Sequence, residues 1–402
     1  MTYRTAAVSA RALALAFALS LLAGCSGSSH SLAIANKQQP KSATSIVLVA
    51  APAPQVEAPF PTPVIDLSGS GTDIGREHAE ALGDGIRKLH GRYIAAYFKS
   101  ATTKFIAMTA ASLFEPKIAP EHMAEVKALA SYSSIDPRQM LLAQCFLDLS
   151  PMTACSTVTL PASASPDGVA RFGRNLDFPS FDVADKASVV LVYRPQHRYA
   201  FASVAWPGMV GVLSGMNEHG LTLANMEVKR GARVPSAMPY TLLYRSVLEN
   251  CKTVDEAVAF LRNTPRQSAN NLMLMDAAGE RAVVELTPES VTVRRGSEGS
   301  ALISTNHQRG QETEEPGLCR RYDSLNRNSK KDFGHIDVAG VESLLAGASQ
   351  GKMTLQSMVF EPANRVIYLA TGKNAATGEF HRLDLRKHFE VTSAPVTTAS
   401  AR

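Results

Sequence analysis

The chain is short of cysteine, of long apolar runs and of charge of one sign, and each shortage closes a class of explanation. Five cysteines, Cys25, Cys145, Cys155, Cys251 and Cys319, are spread over 402 residues. That is too few for a disulfide scaffold, so the core must be held by burial, for which a 45% hydrophobic composition suffices at this length. The apolar run over residues 12–22 is too short to cross a bilayer as a helix, and no other run is long enough. Lysine and arginine total 41 against 36 acidic residues. This small excess is scattered, with no basic stripe interleaved with aromatics, which argues against nucleic acid as a partner. The histidines, His78, His90, His219, His307 and His335 among them, lack the paired spacing of a zinc site, so neither a metal nor another cofactor is expected.

What is there begins at the N-terminus. Arg4 and Arg11 precede the apolar run, which ends in Leu22-Ala23-Gly24-Cys25 and gives way to Ser26-Gly27-Ser28-Ser29. The pattern is that of a signal peptide, residues 1–24, with the small residues that precede an acylated cysteine in bacterial lipoproteins. Cys25 is expected to carry the lipid, and loss of Arg4 and Arg11 takes the formal net charge from +5 to +3. Several acyl chains, at about 0.8 kcal/mol per buried methylene, make a durable membrane anchor. The expected location is the bacterial cell envelope, facing the periplasm or exterior. Ser26, in place of an aspartate retention signal, favours an outer membrane where there are two. Residues 25–63, punctuated by Pro40, Pro52, Pro54, Pro59, Pro61 and Pro63, read as a disordered tether, with residues 46–50 as an alternative edge strand. Folding is expected from 64 to about 390, leaving 391–402 as a disordered tail.

The chemistry concentrates at Cys155. It opens Cys155-Ser156-Thr157-Val158-Thr159-Leu160, and Arg174-Asn175-Leu176-Asp177 follows beyond Pro166-Asp167-Gly168. Two β-prone runs around turn residues make an antiparallel hairpin. A turn centred near residue 165 sets Cys155 opposite Asn175 and gathers a thiol, a guanidinium and a carboxylate. A nearby positive charge holds a thiolate, and a nucleophile needs a base and an orienting group, so the grouping suits acyl transfer. The plain alternative is a buried strand cysteine beside a surface ion pair. If Cys25 is acylated and Cys155 stays reduced, Cys145, Cys251 and Cys319 allow at most one disulfide.

Upstream of Cys155, Ile74, Leu82, Ile86, Leu89, Tyr93 and Tyr97 recur at helical spacing behind a Thr72-Asp73 cap. Residues 120–130 and 137–149 also read as helices, the second capped by Asp136 with Pro137 in its first position. Downstream, strand-like runs cover 188–193, 199–205, 221–228, 271–275, 282–286, 290–293, 301–304, 358–361 and 365–371. Helices over 240–251 and 254–262 interrupt them. Many strands with paired helices predict two stacked sheets with helices outside, an α+β arrangement in four layers.

The residues also resemble a family. Leu67-Ser68-Gly69-Ser70-Gly71-Thr72-Asp73-Ile74-Gly75-Arg76-Glu77-His78, Leu141-Leu142-Ala143-Gln144-Cys145-Phe146-Leu147-Asp148, Ala154-Cys155-Ser156 and Phe172-Gly173-Arg174-Asn175-Leu176-Asp177 come first. Gly215-Met216-Asn217-Glu218-His219-Gly220-Leu221, Asn270-Asn271-Leu272-Met273-Leu274-Met275-Asp276, Ser304-Thr305-Asn306-His307 and Thr354-Leu355-Gln356-Ser357-Met358-Val359-Phe360-Glu361-Pro362 follow in collinear order. Together they are similar to the self-processing acyltransferase and hydrolase family typified by isopenicillin N acyltransferase, whose members break linear amide carbon–nitrogen bonds.

The resemblance implies an N-terminal-nucleophile αββα sandwich preceded by a helical pro-segment. The chain would cut itself between Ala154 and Cys155, making 64–154 one subunit and 155–390 the other, and the two would stay associated. Cleavage would give Cys155 a free α-amine with a pKa of roughly 7.7–8, suited to act as base for its own thiol. Carried over residue by residue, Cys155 is the nucleophile for processing and for catalysis. Arg174 holds the thiolate and orients substrate, Asp177 binds the new amine, and Asn306 donates to the oxyanion. Asn225 or Glu227 would be the second oxyanion donor. Ala154 departs from the glycine common before the nucleophile. Arg320 and Arg321, on an expected helix, either meet an acidic substrate group or form a solvated face. The expected function is a lipid-anchored cysteine hydrolase of small N-acyl amides. The alternatives are an acyltransferase, a catalytically inactive binding lipoprotein on the same fold, and a papain-like enzyme using His219 or His307.

Overall fold

The computed structural model describes residues 60–149, 154–228, 235–310 and 319–390. The expected signal peptide, the lipidation site Cys25, nearly all of the tether and the C-terminal tail lie outside the described residues. The first elements are β1 (Val64–Gly69) and α1 (Gly71–Lys88), which runs through a π-helical turn (Leu89–Ile94) into the short α2 (Ala95–Tyr97). Then come α3 (Ala101–Ser112), α4 (Pro120–Ser133) and α5 (Pro137–Leu149). Ser70, rather than Thr72, caps α1, its hydroxyl accepting from the Asp73 N–H while the Asp73 carboxylate accepts from the Ser70 N–H. Asp136 caps α5 as the sequence predicts, accepting from the backbone N–H groups of Arg138 and Gln139. Gly75 lets α1 and α4 touch: a Cβ there would lie 2.4 Å from the Glu125 carbonyl oxygen.

From residue 154 the chain runs through the smaller sheet, then the larger, then the smaller again. β2 (Ala154–Leu160) and β3 (Arg171–Asp177) are followed by β4 (Val189–Pro195), β5 (Phe201–Ala205), β6 (Ser214–Asn217) and β7 (Thr222–Glu227). Next are α6 (Tyr240–Asn250), α7 (Val254–Asn263), β8 (Asn270–Met275), β9 (Arg281–Leu286), β10 (Val291–Arg295) and β11 (Leu302–Ser304). The chain ends with α8 (Arg320–Lys331), α9 (Val338–Gly347), β12 (Thr354–Glu361), β13 (Val366–Thr371), β14 (His381–Asp384) and α10 (Arg386–Phe389). An eight-stranded sheet has the order β1-β4-β5-β6-β7-β8-β9-β10, and a six-stranded sheet the order β11-β2-β3-β12-β13-β14. The sheets face each other through β2 and β7; α6 and α7 cover the outside of the larger, α8 and α9 that of the smaller. This is the expected four-layer α+β arrangement.

Three apolar clusters fill the layers. The inter-sheet cluster holds Cys155, Phe172, Leu176, Leu223, Met226 and Met358. A second joins α1, α3, α4, α5 and α6, and a third lies between the smaller sheet and α8–α9. Each large side chain so buried contributes about 1.5–3 kcal/mol by leaving water. Gly173 belongs to the third interface, where a Cβ would come within 2.7 Å of Val341 on α9.

Two expectations need correction. The segment before Cys155 is not purely helical: β1 pairs in parallel with β4 and forms the edge of the larger sheet. Its glycine-serine surroundings resembled only a helix start. The hairpin register also differs by one residue, since Cys155 pairs with Leu176, and Asn175 with Ser156. The loop between the strands contains a 3₁₀ turn at Ala162–Ala164, which shifts the turn's centre. A one-residue slip exchanges faces, and the observed register puts Arg174 opposite Thr157, on the same face as Cys155.

Candidate active site

Cys155 lies at the start of β2, fully buried. Its backbone N–H donates to Asn306 Oδ1 at 2.8 Å, and its carbonyl accepts from Arg321 Nη1. Arg321 spans the site: Nη2 donates to Asn306 Oδ1 at 2.9 Å, and Nη1 lies 3.6 Å from the Asp177 carboxylate. Asp177 stands across the ladder from Ala154, so the Ala154–Cys155 peptide bond has a carboxylate beside one end and an amide oxygen bonded to the other. Cys155, Asp177 and Asn306 are thus linked through Arg321, and Arg174 shares the thiol's face.

Each of these groups is held from behind. Asp177 accepts from Thr354 Oγ1 at 2.5 Å and from Gln350 Nε2 at 3.1 Å. Asn306 Nδ2 donates to the Glu227 carbonyl at 2.8 Å, which fixes the Oδ1 end toward Cys155. The Thr305–His307 backbone is braced by Asn271, whose Nδ2 donates to the carbonyls of Thr305 and His307. Arg174 Nη1 donates to the Asn225 carbonyl at 2.7 Å, while its Nε and Nη2 are buried without an oxygen or nitrogen partner. The Asn225 side-chain amide is likewise buried and unpartnered. Native proteins leave few buried polar groups in this state.

The electrostatics oppose one another. Burial pushes the Cys155 thiol up; the Arg174 guanidinium pulls it back, Asp177 pushes it up again, and Arg321 pulls it down. The net direction is upward, so the thiol is neutral in the uncut chain and needs a base before it can attack. Burial also raises the Asp177 carboxyl, against the hydrogen bonds from Thr354 and Gln350 and the charge of Arg321.

Cys155, Arg174, Asp177 and Asn306 are therefore gathered at one place, and Cys25 lies outside the described residues. Of the two second-donor candidates, Asn225 has the unpartnered amide, and Glu227 meets the site through its carbonyl. His219 packs edge-to-face on Tyr199 at the β6–β7 turn and His307 sits 3.5 Å from Thr305 Oγ1, and neither forms a hydrogen bond to Cys155 among the described residues. Cys145, Cys155, Cys251 and Cys319 are all free thiols. Among the described residues no cluster of histidine, cysteine and acidic side chains could hold a metal ion.

Arg321 is the residue whose role the sequence did not separate. The pair Arg320-Arg321 was compatible with a solvated face. Only the packing of α8 against β2 and β11 turns Arg321 inward. Thr354 and Gln350 were equally hidden, because they reach Asp177 from a distant part of the chain.

The fold is a mixed α+β arrangement of two facing sheets, with a buried interior thiol among arginine, carboxylate and amide groups. Residues 164–335 match the family described as acyl-coenzyme A:6-aminopenicillanic acid acyl-transferase. The match begins after Cys155. The chain is 23% identical over 195 residues to N-acylethanolamine-hydrolyzing acid amidase of Oryctolagus cuniculus, covering 46% of this chain and 49% of the relative. It thus spans about half the length of that relative. Among solved structures it overlaps the Clostridium perfringens conjugated bile acid hydrolase with a TM-score of 0.43 and 18% identity, over 58% of this chain and 93% of the other. The Caenorhabditis elegans ortholog of the N-acylethanolamine-hydrolyzing amidase gives 0.44 and 18%, over 52% and 93%; penicillin V acylase of Agrobacterium tumefaciens gives 0.44 and 17%, over 58% and 86%.

Proposed function

We propose that the chain is a self-processing cysteine amidase that hydrolyses linear N-acyl amides through a thioester on Cys155. The observation that carries this reading is the bond from the Cys155 N–H to Asn306 Oδ1, with Arg321 and Asp177 joined to the same group. That nitrogen belongs to the bond to be cut, and the groups around it suit the amine that cutting would release.

Self-cleavage begins when Cys155 Sγ bonds to the Ala154 carbonyl carbon. The Ala154–Cys155 carbon–nitrogen bond breaks, and the thiol proton goes to the departing nitrogen. Water hydrolyses this thioester, leaving the Ala154 carboxyl and a free Cys155 amine. In turnover that amine takes the thiol proton, and the thiolate bonds to the acyl carbon of the substrate. The Asn306 oxygen end faces Cys155 in the uncut chain, so the oxyanion formed there is met by a donor such as the Asn225 amide, worth about 3 kcal/mol in comparable sites. The leaving amine collects the proton from the Cys155 ammonium. Water, deprotonated by the same amine, then releases the acid and restores the thiol. An amine arriving before water would give a new amide, so transfer differs from hydrolysis only in the last step.

The acyl group has a candidate seat in an apolar cavity bordered by Phe178, the residue after Asp177, and by Leu147 on α5. Cys25 acylation would hold the enzyme at the envelope membrane; Cys25→Ala should then move it from the membrane fraction to the soluble one.

Intact mass and N-terminal sequencing of wild-type and Cys155→Ala protein test the core of the proposal. A wild-type fragment starting at Cys155, an uncut variant, and acid release from an N-acyl amide by the wild type alone are expected. A wild-type chain that stays whole yet hydrolyses amides would overturn it. One that stays whole and inactive would favour a binding protein.

A further inference from the structure

The cavity beside Phe178 is not uniformly apolar. It offers about 80 Å³ between the N-terminal helices and the larger sheet, with Tyr93, Phe146, Phe178 and Trp206 among its walls. Aromatic faces and this volume suit a compact apolar group rather than a long extended chain. Two polar groups also reach the wall. His90 and Tyr93 are 4% and 5% exposed, and neither His90 Nδ1 nor the Tyr93 hydroxyl has a hydrogen-bond partner.

Gln144, which lines the same cavity, provides the contrast. Its Nε2 donates to the Gly208 carbonyl at 2.9 Å, and its Oε1 accepts from the Val210 N–H at 2.9 Å. The fold therefore satisfies a buried amide here while leaving an imidazole nitrogen and a phenol unmatched. Both unmatched groups sit on the π-helical turn Leu89–Ile94, four of whose residues, Leu89, His90, Tyr93 and Ile94, line the cavity. Single π turns inside α-helices are frequent at functional sites. Burial pushes His90 down to about 4, with Lys104 adding to the effect, and raises the Tyr93 phenol. Both groups are thus neutral near pH 7, and neither supplies the charge a carboxylate or an ammonium would require.

We infer that this cavity takes an acyl group whose compact apolar body carries an uncharged oxygen, best a hydroxyl, that pairs with His90 Nδ1 or the Tyr93 hydroxyl. A hydroxyl both donates and accepts, and so meets either tautomer of the imidazole and either orientation of the phenol. A site built to pair with a ligand oxygen discriminates against the plain analogue, because its own polar groups are then left unpaired. The identity of the occupant as an acyl group rests on the amidase reading, whereas the preference for oxygen rests on the cavity alone.

Trp206, the chain's single tryptophan, lies in the cavity wall and reports occupancy without catalysis. Wild-type protein would be titrated with N-methylhexanamide and its 3-hydroxy, 4-hydroxy and 5-hydroxy derivatives while Trp206 fluorescence is followed. At least one hydroxylated amide should bind tenfold or more tightly than the plain amide. Tyr93→Phe or His90→Leu should erase that preference, read as the ratio of hydroxylated to plain amide affinity in the same variant. Tyr93→Phe deletes only an unpaired hydroxyl and leaves the packing intact. Equal or weaker binding of every hydroxylated amide, a preference that survives both variants, or no Trp206 response would each overturn the inference. Hexanoyl and hydroxyhexanoyl 4-nitroanilides separate this from the amidase reading. Cleavage without a hydroxyl preference in binding removes the inference alone, and a binding preference without cleavage removes the amidase reading alone.

Discussion

Arg174 and Arg245 are both sealed from solvent, and they keep opposite company. Arg245, on α6, lies 2.7 Å from Glu125 and 2.8 Å from Glu249, donates to the Val210 carbonyl, and sits over the Tyr193 ring. His122 Nε2 meets Glu249 at 2.9 Å. Burial works against the Glu249 carboxylate, but Arg245 and His122 overcome it and hold that carboxyl down to about 2. Arg174 has the Asn225 carbonyl and otherwise faces a thiol, with two of its nitrogens unpartnered. A buried charge without compensation costs several kcal/mol. Arg245 is compensated twice and ties α4 to α6, across the proposed cut. Arg174 has its compensation deferred, as expected for a cation waiting for a thiolate or an oxyanion.

Replacing each arginine by methionine should separate the two roles. Arg174→Met is expected to lower kcat/KM about a thousandfold, with a melting temperature equal to or above wild type, because it removes an under-paired charge. If the melt falls with the activity, Arg174 is structural and the contrast fails. Arg245→Met should cost about 3–5 kcal/mol in denaturant unfolding, since it strands Glu125 and Glu249. An Arg245→Met protein with wild-type stability would break the comparison from the other side.

Acid sharpens it further. Burial, with Arg245 nearby, lowers His78 to about 3, and burial lowers His90 to about 4, so both stay neutral in the folded chain. Unfolded histidines take up protons below about 6.5, so the unfolded state gains protons that the folded state refuses. Stability should be full above pH 6.5 and decline, by on the order of a few kcal/mol, as the pH falls toward 4. Glu249 adds a loss only below its unfolded value of 4.5, as the pH drops toward 2. Because burial raises the Asp177 and Glu125 carboxyls, which act in the opposite sense, the histidine contribution is read by difference: His90→Leu should lose less melting temperature than wild type from pH 7 to 4.5, and an equally steep variant would contradict neutral burial of His90.

How much of this was legible depends on sequence distance. The hairpin bearing Cys155, Arg174 and Asp177 is local, so its residue types and turn chemistry announce it. The register was missed by one because the 3₁₀ turn at Ala162–Ala164 leaves no hydrophobic signal. Helices α3 and α9 escaped because alanine, glycine and short apolar runs blur the helical period. Strands β6 and β14 are only four residues each, too short to show alternation. Asn306 could be named through the family resemblance, yet its bond to the Cys155 nitrogen could not, because 151 positions separate them. Arg321 was visible as a residue but not as a participant, since the inward face of α8 is fixed by tertiary packing.

Arg321 makes the smallest and most selective test. It is 17% exposed and touches the Cys155 carbonyl, Asn306 and Asp177, so it stands between the fully paired Arg245 and the under-paired Arg174. Because it orders the backbone around the bond to be cut, Arg321→Gln should slow self-cleavage about tenfold, equivalent to roughly 1.4 kcal/mol. It retains a donor and forfeits the charge. Time-resolved gel or mass analysis of freshly folded protein gives the cleavage rate, and the hydrolysis rate of material already cut gives catalysis separately. Slowed cleavage with near-normal turnover would assign Arg321 to positioning the uncut peptide. An equal loss in both would place its charge beside the transition state, in the company of Arg174, and unchanged rates would leave it a structural cation like Arg245.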